Sequence, residues 1–459
     1  MTNLQTERLG TEKITKLLLE FSLPATIGML VNAVYNVMDR IFVGNSGYLG
    51  TPALAGITVA FPITMFMLAF AIMIGVGGAT QFSIHLGKEK PEEARNFLGN
   101  AVILMVGFSV IFSILGMIFI DPLLKIFGAS ETVLPYAREY LSVLLIGTVF
   151  QTAGLGLNHF MRANGSPTIS MVSMLVGSAF DIVFDALLIF VFQMGLAGAA
   201  LASVGGQALA TIWGLVYFKV NKHGIRLNLA SLKPNFHKMR LIITTGIPAF
   251  IMNVIGSLLQ AILNSSLMKY GGDIAQAAMG IVNSVQTFLV MPVIGVNQGV
   301  QPIVSFNYGA GKLKRAQSAI KTGMLVGIII TTVGWIIIQL FAEPIAGIFN
   351  QDPELVAMAA KFSRQWFAML FVIGAPIIGS NYFQSIGKSL YATLLTLLRQ
   401  VIVLIPLIII LPRMFGLGLY GITWASPVSD LISASVSVTW VFLYMKKQRK
   451  EHDMVKISH

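Results

Sequence analysis

The sequence predicts an all-α integral membrane protein of twelve transmembrane helices, arranged as two parallel six-helix bundles about a pseudo-twofold axis along the membrane normal. Composition, the lengths of the apolar runs and an internal repeat carry that prediction. Of 459 residues, 55% are apolar and only 11% are charged, whereas a soluble domain carries about 25% charged residues. Mean hydropathy is +0.78. Lipid is spanned only by helices or closed barrels, and the apolar runs here far exceed the roughly ten alternating residues of a barrel strand. A soluble enzyme and a disordered chain are excluded. The sequence contains no cysteine, so there is no disulfide framework or thiol chemistry to read.

A hydrocarbon core of about 30 Å needs roughly 20 apolar residues per helix. Charges and clusters of Gly, Pro and Asn cut the chain into twelve such runs. The first, near 17–42, follows a polar segment, 1–16, and lacks the small-residue end of a cleavable leader. The second (53–80) ends before a charged turn, the third (96–119) before Asp121-Pro122, and the fourth (134–157) before Arg162 and Asn164-Gly165. The fifth (167–192) and sixth (196–218) flank Gly195. The basic stretch 219–240 leads to the seventh (241–267), and Gly271-Gly272 separates that run from the eighth (276–300). The ninth (317–341) follows a basic turn, and the tenth (357–382) follows Asp352-Pro353. Gly387-Lys388 precedes the eleventh (389–412), and Gly416 the twelfth (418–444). The expected layout is a cytoplasmic segment 1–16, an N-lobe 17–218, a cytoplasmic linker 219–240, a C-lobe 241–444 and a cytoplasmic tail 445–459.

Basic residues orient the bundle. Alternate loops and both ends hold 23 Lys and Arg, six of them in 219–240 and five in the tail, while the opposite loops hold only Lys125, Arg138, Lys269, Lys361 and Arg413. The positive-inside rule then puts both termini in the cytoplasm. The net charge of +12 is thereby an orientation signal rather than a nucleic-acid footprint.

The two halves of the chain align with an offset of 222–224 residues. Pro24 matches Pro248, Gly87-Lys88 matches Gly311-Lys312, Gly165 matches Gly387, and GLAGAALAS from Gly195 matches GLYGITWAS from Gly418. Six spans per half give both halves the same orientation, as in one class of transporters. Two lobes around a central cleft suit alternating access, which favours transport over a receptor or a membrane enzyme. The Walker A loop, HExxH and GxSxG are all missing. Without a nucleotide site, an ion gradient is the expected driving force.

A carboxylate inside a span costs about 2.5–3.5 kcal/mol on the insertion scale, which makes it a functional hypothesis. Four fall there: Asp39, Asp181, Asp185 and Asp430. Asp39 lies late in its span beside Arg40, so a structural pair at the extracellular helix end competes with a functional acid. Asp181 and Asp185 are spaced i,i+4 and share a helix face. Two such groups in a dry site cannot both ionise cheaply, so they should titrate as a coupled unit and suit a proton site. The repeat mates of Asp39 and Asp185 are apolar, which assigns ion coupling mainly to the N-lobe. Asp430 follows Pro427, and either a helix-interior partner or a helix-start cap would explain it. Arg399 is either the counter-charge of a carboxylate or a snorkelling side chain. Asn36, Gln151, Gln260, Asn264, Asn283 and Gln286 lie in or near spans, where helix–helix hydrogen bonding competes with a cavity lining. The 23 Met and 30 Phe offer soft and cation-holding surfaces, which a promiscuous cavity needs.

VYNVMDRIFVG (34–44), FMRANGSP (160–167), FDIVFDALLIF (180–190), GLAGAALAS (195–203) and VNQGVQPIVSFNYGAG (296–311) together resemble the signatures of the multidrug and toxic compound extrusion (MATE) family, in family order from about residue 11 to 444. The acids of the N-lobe, with none in helices seven and eight, are similar to the DinF-like and related bacterial branch. The resemblance implies a transporter with no enzymatic activity and no cofactor, exporting cationic amphiphilic drugs in exchange for H⁺ or Na⁺. It implies residence in the cell membrane among lipid, with no obligate protein partner. Asp39 matches the first-helix acid of the family, and Asp185 the acid of the motif Asn-x-x-x-Asp-Pro. Asp181 stands where that motif has Asn, and Ala186 where it has Pro. Ser203 falls where the branch carries a small hydroxyl residue near the acid. The extra carboxylate opens three roles: Na⁺ binding among Asp39, Asp181 and Asp185, a second proton, or a dicationic substrate. A lipid or lipid-linked precursor flippase of the same superfamily is the alternative, though the buried charges here are mainly acidic.

Overall fold

The computed structural model describes residues 4–46, 50–220, 224–414 and 416–457. The described residues form helices α1 (Leu4–Thr11), α2 (Ile14–Asn45), α3 (Gly50–Gly87), α4 (Pro91–Ile118), α5 (Ile120–Ile126), α6 (Leu134–Ala163), α7 (Pro167–Ala186), α8 (Gly195–Val220), α9 (Phe236–Gly309), α10 (Leu313–Phe349), α11 (Pro353–Trp366), α12 (Leu370–Ser385), α13 (Ser389–Leu397), α14 (Ile405–Ile410) and α15 (Leu419–Ile457). Among the described residues, ten helices are long and apolar enough to cross a membrane, and α11 with α12, bent by 54°, makes one more span. Helix α9 is two helices merged across Gly272, whose φ of 64° breaks the helical path. Counting it as two gives the twelve spans expected from the sequence.

Local chemistry explains the corners. Pro91, Pro167 and Pro353 open their helices at the first turn, where a missing N–H costs nothing. Asp352 caps α11 by accepting from the Glu354 N–H at 3.0 Å. Gly165 and its repeat mate Gly387 both take positive φ (85° and 75°) in the turns after α6 and α12, a conformation that L side chains resist. Arg162, which the sequence assigns to a cytoplasmic loop, is instead 3% exposed. It donates to the Ser170 hydroxyl at 2.8 Å and to His159 Nδ1 at 3.1 Å, tying α6 to α7.

The chain forms two compact units. Unit 1 comprises 1–12 and Ile27–Asn253, and unit 2 comprises Lys13–Thr26 and 254–459. The division does not fall at the 219–240 linker alone, because α2 and α9 each contribute to both units. Within unit 1, Gln81 donates to the Thr245 hydroxyl at 2.8 Å, and a Cβ on Gly77 or Gly246 would strike backbone of the other helix. Within unit 2, the Ser22 and Thr26 hydroxyls donate to the carbonyls of Val296 and Pro292 at 3.5 and 3.4 Å. A Cβ on Gly295 or Gly299 would there collide with Thr26 or Ser22. Small residues let helices approach closely in lipid, where apolar side chains gain nothing from mutual burial.

Each unit has its own apolar core. That of unit 1 includes Val43, Ile57, Met67, Leu141, Leu145 and Ile189; that of unit 2 includes Leu267, Val282, Phe362, Trp366, Leu404 and Ile422. The outer faces are also apolar. On α4, Ile111, Ile114, Leu115 and Ile118 are all at least half exposed, the i, i+3, i+4, i+7 pattern of a stripe facing lipid rather than protein.

Candidate functional site

Three carboxylates of unit 1 converge. Helix α7 starts at Pro167 and carries Asp181 and Asp185 one turn apart on its buried face, at 3% and 1% exposure. Immediately beyond them the helix widens into a π turn, Leu187–Val191, a local geometry common at functional sites. Asp39 reaches them from α2, and its carboxyl group lies close enough to that of Asp185 to interact with it directly. An ionised carboxylate only accepts, so a direct bond between the two groups would need a proton on one of them. Asp181 completes the group within electrostatic range of Asp39. Ser203 of α8 neighbours Asp181, yet neither Asp181 oxygen meets hydrogen-bond geometry with any described group, and Asp185 Oδ1 is equally unpartnered. Among the described residues no Lys or Arg pairs with Asp181 or Asp185. The Arg40 and Asn36 side chains lie outside the described residues.

Two aromatic neighbours are not among the residues that the sequence singles out. Tyr140 of α6, 8% exposed, lies within electrostatic range of Asp39, Asp185 and Asp181 and of Tyr35 of α2. Tyr35 lies i−4 from Asp39, a helical spacing that could have flagged it. Nothing in the local sequence of Tyr140 announces its position, which α6 packing alone sets. Gln151, also on α6, holds a buried Oε1 with no partner.

The remaining polar positions belong to unit 2. Gln260 donates to Asn264 Oδ1 at 2.9 Å, and Gln286 accepts from Trp366 Nε1 at 3.1 Å. Asn283 uses its backbone carbonyl to accept from Thr287 at 3.0 Å. Asp430, 2% exposed, has a helix-interior partner. Arg399 Nε and Nη2 both reach its Oδ1 at 2.9 Å, and the Ser426 hydroxyl donates to its Oδ2 at 3.3 Å. The fold thus groups Asp39, Asp181, Asp185 and Ser203, and holds Asp430 apart in an ion pair of its own. A polar cavity of about 360 Å³ beside Arg95, Asn100, Lys233 and Lys238 contains none of these carboxylates.

The MatE family model matches residues 24–187 and again residues 248–410. The chain belongs to the MatE family. The double match coincides with the internal repeat, and the family is one of membrane transporters, not enzymes. Among its relatives, the multidrug export proteins MepA of Staphylococcus haemolyticus (strain JCSC1435) and Staphylococcus aureus (strain MSSA476) are each 27% identical over 429 and 430 residues. Each alignment covers 94% of this chain, with 93% and 94% of the respective relatives. Among solved structures, an outward-facing multidrug resistance MATE family transporter of the MOP superfamily superposes with TM-score 0.93 at 24% identity, covering 98% of this chain and 100% of its own. A MATE protein solved in complex with MaL6 gives 0.92 at 23% identity, covering 96% and 99%. At these identities the structural likeness carries the fold of this MatE chain.

Proposed function

We propose that this chain exports cationic amphiphilic drugs from the cytoplasm across the cell membrane in exchange for protons, with Asp39 and Asp185 as the exchange site. One observation supports the choice of ion: the carboxyl groups of Asp39 and Asp185 lie together inside unit 1, and like charges that close favour a proton on one of them. Deprotonation leaves two like charges close together, a state that favours either reprotonation or a bound cation. That alternation is what exchange demands. The identity of the cargo is supported by the named function of the MepA relatives and by the acidic character of the buried unit 1 cluster. Asp181 adds a third carboxylate, suited to a second proton or a second positive charge on the cargo. Both termini are taken as cytoplasmic, on the strength of the basic-residue asymmetry.

Proteoliposomes test the reading. With an imposed proton gradient, a cationic dye should be transported, and adding the dye should release protons in a sodium-free buffer. Dye-dependent uptake of sodium with no proton movement would replace the proton by Na⁺. Vesicles that scramble labelled lipid but leave every cationic dye in place would make the chain a flippase.

A further inference from the structure

We propose that the Asp430 carboxylate is a second cation site, in unit 2, which Arg399 fills as a tethered occupant until an amine or guanidinium group of a substrate displaces it. This inference rests on the export reading above. Four observations support it. Asp430 is a buried carboxylate whose side chain is 1% exposed, whereas that of Arg399 is 24% exposed. Of the two partners, the guanidinium is the one open to its surroundings. The Nε hydrogen bond and the Nη2 ion-pair contact both fall on one oxygen, Oδ1, rather than forming the two parallel bonds of the strongest arginine–carboxylate clamp. Arg399 also lies in a π-helical segment, Leu398–Leu404, and Gln400 in that same wide turn holds a buried Oε1 with no partner.

The repeat supplies the remaining observation. Offsets of 222 and 223 residues make Ser426, which bonds Asp430, the mate of Ser203, which neighbours Asp181. The hydroxyl beside a carboxylate is thus present in both units, but among the described residues it is the unit 2 acid, not Asp181, that has a cation from its own chain. A charge pair that only clamped helices would gain from the parallel geometry and from full burial of both partners. This pair has neither.

Binding of a monocationic dye to the purified full-length protein, followed together with its thermal unfolding, tests the proposal. Arg399→Gln removes the occupant and should tighten dye binding about 10-fold, the effect of losing a competitor worth roughly 1.4 kcal/mol. Arg399→Gln combined with Asp430→Asn should return affinity to the wild-type value. If Arg399→Gln does not fold, Arg399→Lys, which keeps the charge but loses the planar fork, should tighten binding by a smaller factor. Unchanged affinity in the Arg399 variants, or tightening that survives in the double variant, overturns the proposal. A wild-type protein that binds no cationic dye would instead overturn the export reading on which it stands.

Discussion

At matched positions of the repeat, the two units bring helices together by different means. In unit 1, α7 and α8 meet glycine to glycine: a Cβ on Gly177 would lie 2.8 Å from the Gly206 carbonyl oxygen, and one on Gly206 2.5 Å from that of Gly177. The repeat mates are Arg399 and Ser429, and in unit 2 the Ser429 hydroxyl donates to the Arg399 carbonyl at 3.0 Å. One crossing is held by close backbone approach, the other by hydrogen bonds and the adjoining Arg399–Asp430 pair. The acids of unit 1 sit one and two turns along α7 from Gly177, where unit 2 has Val403 and Leu407. Duplication therefore kept the packing site and moved the charge. Among the described residues no Lys or Arg pairs with Asp181 or Asp185 of unit 1, which suits an ion that comes and goes. The carboxylate of unit 2 is neutralised by its own chain.

Removing the clustered acids of unit 1 should break that asymmetry most severely. Asp185→Asn or Asp39→Asn should lower gradient-driven dye export to the level of empty vesicles, with normal amounts of protein in the membrane. Export at the wild-type rate in both variants would reduce the pair to a structural feature.

The next effect is on packing. Gly206→Leu would force a side chain into the Gly177 carbonyl and, as an overpacked contact, should destabilise the protein by about 1–3 kcal/mol. Thermal unfolding in detergent would register the loss, and an unchanged midpoint would refute the close-approach account.

Asp181→Asn sharpens the comparison further, because it restores the residue that the family motif carries at this position. One titrating group fewer should make export depend less steeply on pH, and a dicationic dye should lose more transport than a monocationic one. Superimposable pH profiles with equal dye ratios would leave Asp181 without a mechanistic part. The smallest effect belongs to unit 2: Ser429→Ala deletes one interhelical hydrogen bond, a loss of roughly 0.6 kcal/mol in membrane proteins. If it destabilises as much as Gly206→Leu, the two crossings are not held differently.

Much of this architecture is legible in the amino-acid sequence, because the physics involved is local to single segments. Apolar runs long enough for a bilayer, the asymmetry of Lys and Arg between loops, and the cost of a carboxylate in hydrocarbon are all of that kind. They suffice to predict twelve spans and to single out Asp39, Asp181 and Asp185, and the match between the halves exposes the repeat. The i,i+4 spacing alone puts Asp181 and Asp185 on one face of α7.

Tertiary structure decides whatever depends on contacts between distant segments. Sequence alone leaves Arg399 between pairing and snorkelling, and Asp430 between an interior partner and a cap; the packing of the π-helical segment against α15 joins them across 31 positions. Arg162 reads as a loop charge because its neighbours are polar and glycine-rich, but the turn into α7 folds it onto Ser170 and His159. Tyr140 reaches the acids only through the course of α6. The sharing of α2 and α9 between the units follows from glycine contacts such as Gly77 with Gly246, whose partners lie more than 160 residues apart. Hydropathy and helical periodicity report which residues face away from water. They carry no information on which two buried surfaces meet, and that is set by the fit of side chains between helices.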